Sequence, residues 1–77
     1  MSIEGTVKES LLDILDVDES EITPIAHLRK DLGASSVDLV EILALLENEF
    51  DIDIPDEDGP KLLTVQAIID YVKARTK

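Results

Sequence analysis

The stretch Asp31-Leu32-Gly33-Ala34-Ser35-Ser36-Val37-Asp38 joins a glycine turn to the start of an apolar and acidic helical segment. Gly33 supplies the flexible turn. Ser35 is the better N-cap, since its hydroxyl can accept from the amide of Asp38, which can answer in an approximate capping box. Ser36 then sits in the first turn with its hydroxyl free, held on a rigid element yet facing water. That placement suits a serine that is modified covalently rather than one that attacks a substrate. A phosphate ester on Ser36 would lie at the positive end of the helix dipole, among unpaired backbone amides. The residues alone equally allow both serines to act only as caps, a role in which serine is common.

The helix that these residues open is expected to run from about Ser36 to Phe50, and it has two apolar faces. At 100° per residue, Leu39, Ile42, Leu43, Leu46 and Phe50 fall within a stripe about 100° wide, which is a core face. Val37, Val40 and Ala44 form a second ridge that the core does not require. Glu41 and Asn48 border that ridge on one side and Glu47 on the other, while Ser36 projects between ridge and core stripe. Apolar residues rimmed by carboxylates have the character of a docking surface. Packing of the ridge on the preceding loop is the alternative.

Upstream, Ile3, Val7, Leu11 and Ile14, widened by Leu12 and Leu15, predict a helix over Ile3 to Leu15 that Gly5 weakens at its start. A long connection, Asp16 to Ala34, follows. Pro24 disfavours helix at Thr23, and Ile22, Leu28 and Leu32 are the expected anchors of the loop on the core. A structureless loop of this length is unusual in a small domain, so it should pack down or hold a short helical turn. Downstream, Gly59-Pro60 within Asp56-Glu57-Asp58-Gly59-Pro60 should keep any third helix short or distorted. Thr64 is a good N-cap for a last helix reaching about Arg75, with Val65, Ile68, Ile69 and Val72 at i, i+3, i+4 and i+7. Lys73, Arg75 and Lys77 complement the negative end of its dipole. The expected fold is therefore all-α: a small three-to-four-helix bundle with a long loop between helices 1 and 2.

Composition narrows the function. At 77 residues, one small domain with one modest core is expected, and a deep catalytic cleft is not. The absence of cysteine excludes disulfides, thiolate metal sites and a cysteine nucleophile. The N-terminus lacks the apolar run of a signal peptide, and no window approaches the roughly 20 apolar residues of a membrane span. A cytoplasmic protein that is not membrane-embedded is expected. Eighteen acidic against seven basic residues give a net charge of -11, which would repel nucleic acid. The 44% hydrophobic content argues for a folded acidic module with basic partners rather than a disordered one. The same charge also serves solubility.

At Asp31 to Asp38 the sequence resembles the prosthetic-group attachment motif of acyl carrier proteins, whose usual core is Asp-Ser-Leu. The likeness continues through Val40-Glu41, Leu46-Glu47, Glu49-Phe50-Asp51, Ile54-Pro55-Asp56, Thr64-Val65-Gln66-Ala67 and Ile69-Asp70-Tyr71. The resemblance implies a single acyl-carrier-type domain over residues 1–77 with 4′-phosphopantetheine on Ser36, transferred from coenzyme A by a phosphopantetheinyl transferase. Acyl groups would ride as thioesters on the arm's terminal thiol, in fatty-acid or related polyketide or specialised synthesis, and the chain itself would catalyse nothing. Val37, Asp38, Val40, Glu41, Ala44 and Glu47 should then meet the basic docking surfaces of acyl-transferring and chain-elongating enzymes. The resemblance further implies that an acyl chain can shelter between the helices. Ser-Ser-Val departs from the usual core: Ser35 removes a charge beside the attachment point, and Val37 is a smaller, stiffer knob than leucine.

Other readings are weaker. An EF-hand beginning at Asp51 needs glycine at its sixth position and glutamate at its twelfth, where Asp56 and Leu62 stand. No metal site is expected, and His27 reads as a loop residue rather than a ligand. Tyr71 reads most simply as packing. A monomer is expected. The main competitor is an acidic helical interaction adaptor without a prosthetic group.

Overall fold

A computed structural model describes residues 2–76, which form α1 (Ile3–Ile14), α2 (Ser36–Phe50) and α3 (Val65–Arg75). Two 3₁₀ segments, Glu19–Glu21 and Asp56–Lys61, interrupt the connections. The all-α expectation holds: the sole β-type pairing among the described residues is an isolated bridge between His27 and Thr64. Ser2 starts α1 by accepting from the Gly5 amide at 2.9 Å, which offsets the weak glycine position. Leu15 is the C-cap and not part of the helix. Thr64 caps α3, its hydroxyl accepting from the Ala67 amide at 3.1 Å.

Helix α1 is the hub, since it packs on both α2 and α3. Val7 and Leu11 meet Ile42 and Leu46 of α2 and Ile68 and Val72 of α3 in one cluster, with every one of these six side chains almost fully enclosed. Burying such a side chain contributes about 1.5–3 kcal/mol. The expected core face of α2 divides. Ile42 and Leu46 are buried, whereas Leu39, Leu43 and Phe50 are only half-buried against the cluster. Helical phase gives a side chain its direction, but the opposing elements decide how much of it is covered.

The long connection packs down as expected. Ile22, Leu28 and Leu32 are buried in the core, joined by Ala26 and Ala34. The loop is also stitched to the entry of α3. Leu28 donates to the Leu63 carbonyl at 2.8 Å, Val65 to Ala26 at 3.1 Å and Gln66 to Pro24 at 2.9 Å. Those bonds satisfy backbone groups that no helix or sheet ladder serves. Gly33 ends the loop with φ at 70°, a conformation that a side chain disfavours. The Gly-Pro segment is a 3₁₀ turn rather than an α-helix, as its sequence requires. Lys77, grouped above with the cations at the end of α3, lies outside the described residues. No helix of the described residues is long and apolar enough to cross a membrane.

Candidate functional site

The start of α2 is fixed by a reciprocal cap. The Asp38 amide donates to the Ser35 hydroxyl at 3.1 Å, and the Ser35 amide donates to the Asp38 carboxylate at 3.0 Å. With Ser35 thus occupied, the next residue falls at the first helical position, where its side chain is exposed. Among the described residues, the hydroxyl of Ser36 has a single side-chain neighbour within hydrogen-bonding range. Arg29 Nη1 donates to it at 3.4 Å, the long end of that range.

Arg29 is delivered by a compact turn. The Asp31 and Leu32 amides both donate to the His27 carbonyl, at 2.8 and 3.1 Å. His27 Nδ1 accepts from the Arg29 and Lys30 amides at 3.2 and 3.1 Å, and the His27 amide donates to Asp31 at 2.7 Å. Leu28 and Leu32 point into the core, so Arg29 between them points out. His27 is a loop residue as expected, but its ring also organises the turn beside Ser36.

An open groove of about 480 Å³ begins at Ser36. Leu39 and Leu43 of α2, Gly59 and Pro60 of the 3₁₀ segment, and Leu62 and Leu63 after it give the groove apolar walls. This explains the half-burial of Leu39 and Leu43: one side of each meets the core and the other meets the groove. Ser36 and Arg29 stand at its polar margin, with Asp56 also in the lining.

On the adjoining face, Val37 and Val40 are 68% and 66% exposed, and Ala44 is exposed as well. The second ridge therefore does not pack on the loop. Its acidic neighbours are not equivalent. Glu41 is exposed, Asp38 is held in the cap, and Glu47 accepts from the Ile54 amide at 2.8 Å. Glu47 thereby ties the chain after α2 back to the helix.

The far wall is fastened by a cluster that the sequence pattern did not indicate. The Tyr71 hydroxyl donates to Asp58 at 2.6 Å, Arg75 reaches the same carboxylate oxygen at 3.3 Å, and Lys61 stands 3.4 Å from the other. The Arg75 guanidinium also lies 4.1 Å from the centre of the Tyr71 ring. Tyr71 is thus more than packing; it is the short link between α3 and the 3₁₀ segment. Its hydrogen bond, aided by Lys61 and Arg75 against the cost of burial, holds the Asp58 carboxyl below the usual carboxylate range. Burial, and then the bond to Asp58, pushes the Tyr71 phenol up. Aspartate and tyrosine at a spacing of thirteen give no periodic signal, so only the folded chain brings them together.

A protein-family model described as a phosphopantetheine attachment site matches residues 5–72. The matched span takes in the α2 cap, the groove and both segments that border it.

Proposed function

The chain belongs to the phosphopantetheine attachment family, whose members carry a covalent 4′-phosphopantetheine, and on that premise we propose that it is an acyl carrier protein loaded at Ser36. The observation that carries this reading is an exposed hydroxyl in the first turn of α2, at the mouth of an apolar groove. The residues fit the group. Its phosphate would meet a guanidinium and the first-turn amides, which lack intrahelical acceptors. When bound, the arm supplies the thiol that this cysteine-free chain does not have. The chain's own part is to present that arm and to give an attached acyl group a partly dry place to lie.

In this reading the whole chain is one non-catalytic carrier unit for fatty-acid or related acyl synthesis. Its partners are a phosphopantetheinyl transferase and acyl-handling enzymes. Their basic surfaces would meet Val37, Val40 and Ala44 as an apolar contact, with Glu41 as the outward charge. Asp38 and Glu47 would contribute to the field of the surface while fastening the helix. An acyl chain in the groove adds about 0.8 kcal/mol for each methylene it buries, before repacking of Leu39 and Leu43 is counted. A medium-chain acyl form should accordingly melt modestly above the holo form. Equal melting temperatures would count against the groove as the shelter.

Intact-protein mass spectrometry after incubation with coenzyme A and a transferase tests the carrier reading. Mass gain in the wild type and Ser35→Ala, with none in Ser36→Ala, is the expected pattern. No gain with several transferases would instead favour an acidic adaptor that uses the exposed ridge alone.

A further inference from the structure

Among the described residues, Arg29 has no partner of opposite charge. In a chain with 18 acidic residues, no carboxylate of the described residues lies within 4.0 Å of its guanidinium. The close ion pairs use Lys8, Lys61, Lys73 and Arg75 instead. The acids nearest to Arg29 in sequence are already engaged by backbone amides, Glu21 on the upstream side accepting from the Asp18 amide at 2.8 Å. Asp31 accepts from His27 and Asp38 from Ser35. The guanidinium is directed to a neutral hydroxyl, by a turn whose two flanking leucines are locked in the core. A guanidinium stays charged at every physiological pH, and its planar fork matches the oxygens of a phosphate group. Its present contact, at 3.4 Å to an uncharged oxygen, uses little of that capacity.

We propose that Arg29 is the counter-ion of the phosphodiester at Ser36, holding the root of the arm at the margin of the groove; this rests on loading at Ser36. Arg29 is then a positioning residue. It makes no bond to the acyl group and takes no part in its transfer. Its contact biases the root of the arm toward the groove lined by Leu39, Val40 and Leu43 and away from Val37 and Ala44 on the exposed ridge. Lys30 provides the control, because it belongs to the same turn and carries the same charge but does not line the groove.

The test compares apo and loaded chain by nitrogen-15 and phosphorus-31 NMR, with loading established first by intact mass. In the wild type, loading should slow solvent exchange of the Arg29 Nε proton about threefold, the scale of an exposed charge-assisted contact. The phosphorus resonance should shift in Arg29→Gln, keep its wild-type position in Lys30→Gln, and move part of the way back in Arg29→Lys. Unchanged Arg29 exchange in a chain whose mass shows full loading overturns the inference while leaving attachment at Ser36 intact. Equal phosphorus shifts in Arg29→Gln and Lys30→Gln overturn it as well. Absence of any mass gain in the wild type overturns the attachment reading and this inference together. Should Arg29→Gln resist loading, the wild-type exchange comparison alone still decides.

Discussion

The turn from His27 to Leu32 and the 3₁₀ segment from Asp56 to Lys61 both border the Ser36 groove, and they are fastened in opposite ways. The turn is held from within. Its backbone amides converge on the carbonyl and ring nitrogen of His27, and Leu28 and Leu32 anchor it in the core. The 3₁₀ segment has no buried residue, so burial alone cannot keep it in place. It depends on Asp58 reaching Tyr71 and Arg75, thirteen and seventeen residues away. A segment that fastens itself through its backbone, its apolar side chains and the single carboxylate of Asp31 leaves its cations, Arg29 and Lys30, free to face outward. One without apolar anchors must use its charge internally. This difference is why Arg29 is available at the groove while Asp58, Lys61 and Arg75 are engaged with one another.

The contrast can be broken most severely at Leu28, which is 1% exposed. Leu28→Ala should cost about 2–5 kcal/mol in urea unfolding, the range for truncating an enclosed leucine. In so small a domain that is a large share of the total stability. A loss below about 1 kcal/mol would mean that the backbone bonds of the turn suffice without the anchor.

Tyr71→Phe should act next, lowering the melting temperature at neutral pH by several degrees while leaving the His27 turn in place. Its pH dependence identifies the cause. The folded-state pKa of Asp58 is depressed, so its contribution is present above the ordinary carboxylate range, near 3.9. That contribution is lost as pH falls through the lower folded-state value. The gap between wild type and Tyr71→Phe should therefore narrow in strong acid. A gap that stays constant would assign the effect to ring packing instead of the hydroxyl.

His27→Ala should cost at most about 1 kcal/mol, because it removes the acceptor of two amides but leaves the carbonyl bonds of the turn. Its expected mark is faster hydrogen exchange at the Arg29 and Lys30 amides with little change elsewhere. Lys61→Ala should have the smallest effect, unresolved in thermal melts, since the Lys61 side chain is 73% exposed. A clear loss there would make the far wall dependent on its outer charges rather than on Tyr71.

The same contrast explains what the amino-acid sequence disclosed. Helices α1, α2 and α3 follow from apolar spacing, and Val65, Ile68, Ile69 and Val72 are all buried as that spacing requires. The Ser35 and Thr64 caps are local chemistry, and they stand where local chemistry puts them. Ile22, Leu28 and Leu32 were legible as loop anchors because isolated large apolar residues in a polar loop must find cover. The contacts of Arg29 with Ser36, Glu47 with Ile54 and Tyr71 with Asp58 were not legible. Each links a side chain to a group at least seven residues away across a turn, where no periodic pattern records the pairing. The groove was hidden for a related reason: Leu39 and Leu43 have core phase, but the Gly59-Pro60 segment does not cover them fully.

Peptide-level mapping of the arm decides whether Ser36 is the attachment point. Cleavage after Lys30 and Lys61 releases Asp31 to Lys61, in which Ser35 and Ser36 are the sole hydroxyl-bearing side chains. Fragmentation between those two serines in the loaded protein should leave the phosphopantetheine mass on the fragment that begins at Ser36. The same mass on the fragment that ends at Ser35, or an unmodified peptide from a loaded chain, would refute loading at Ser36.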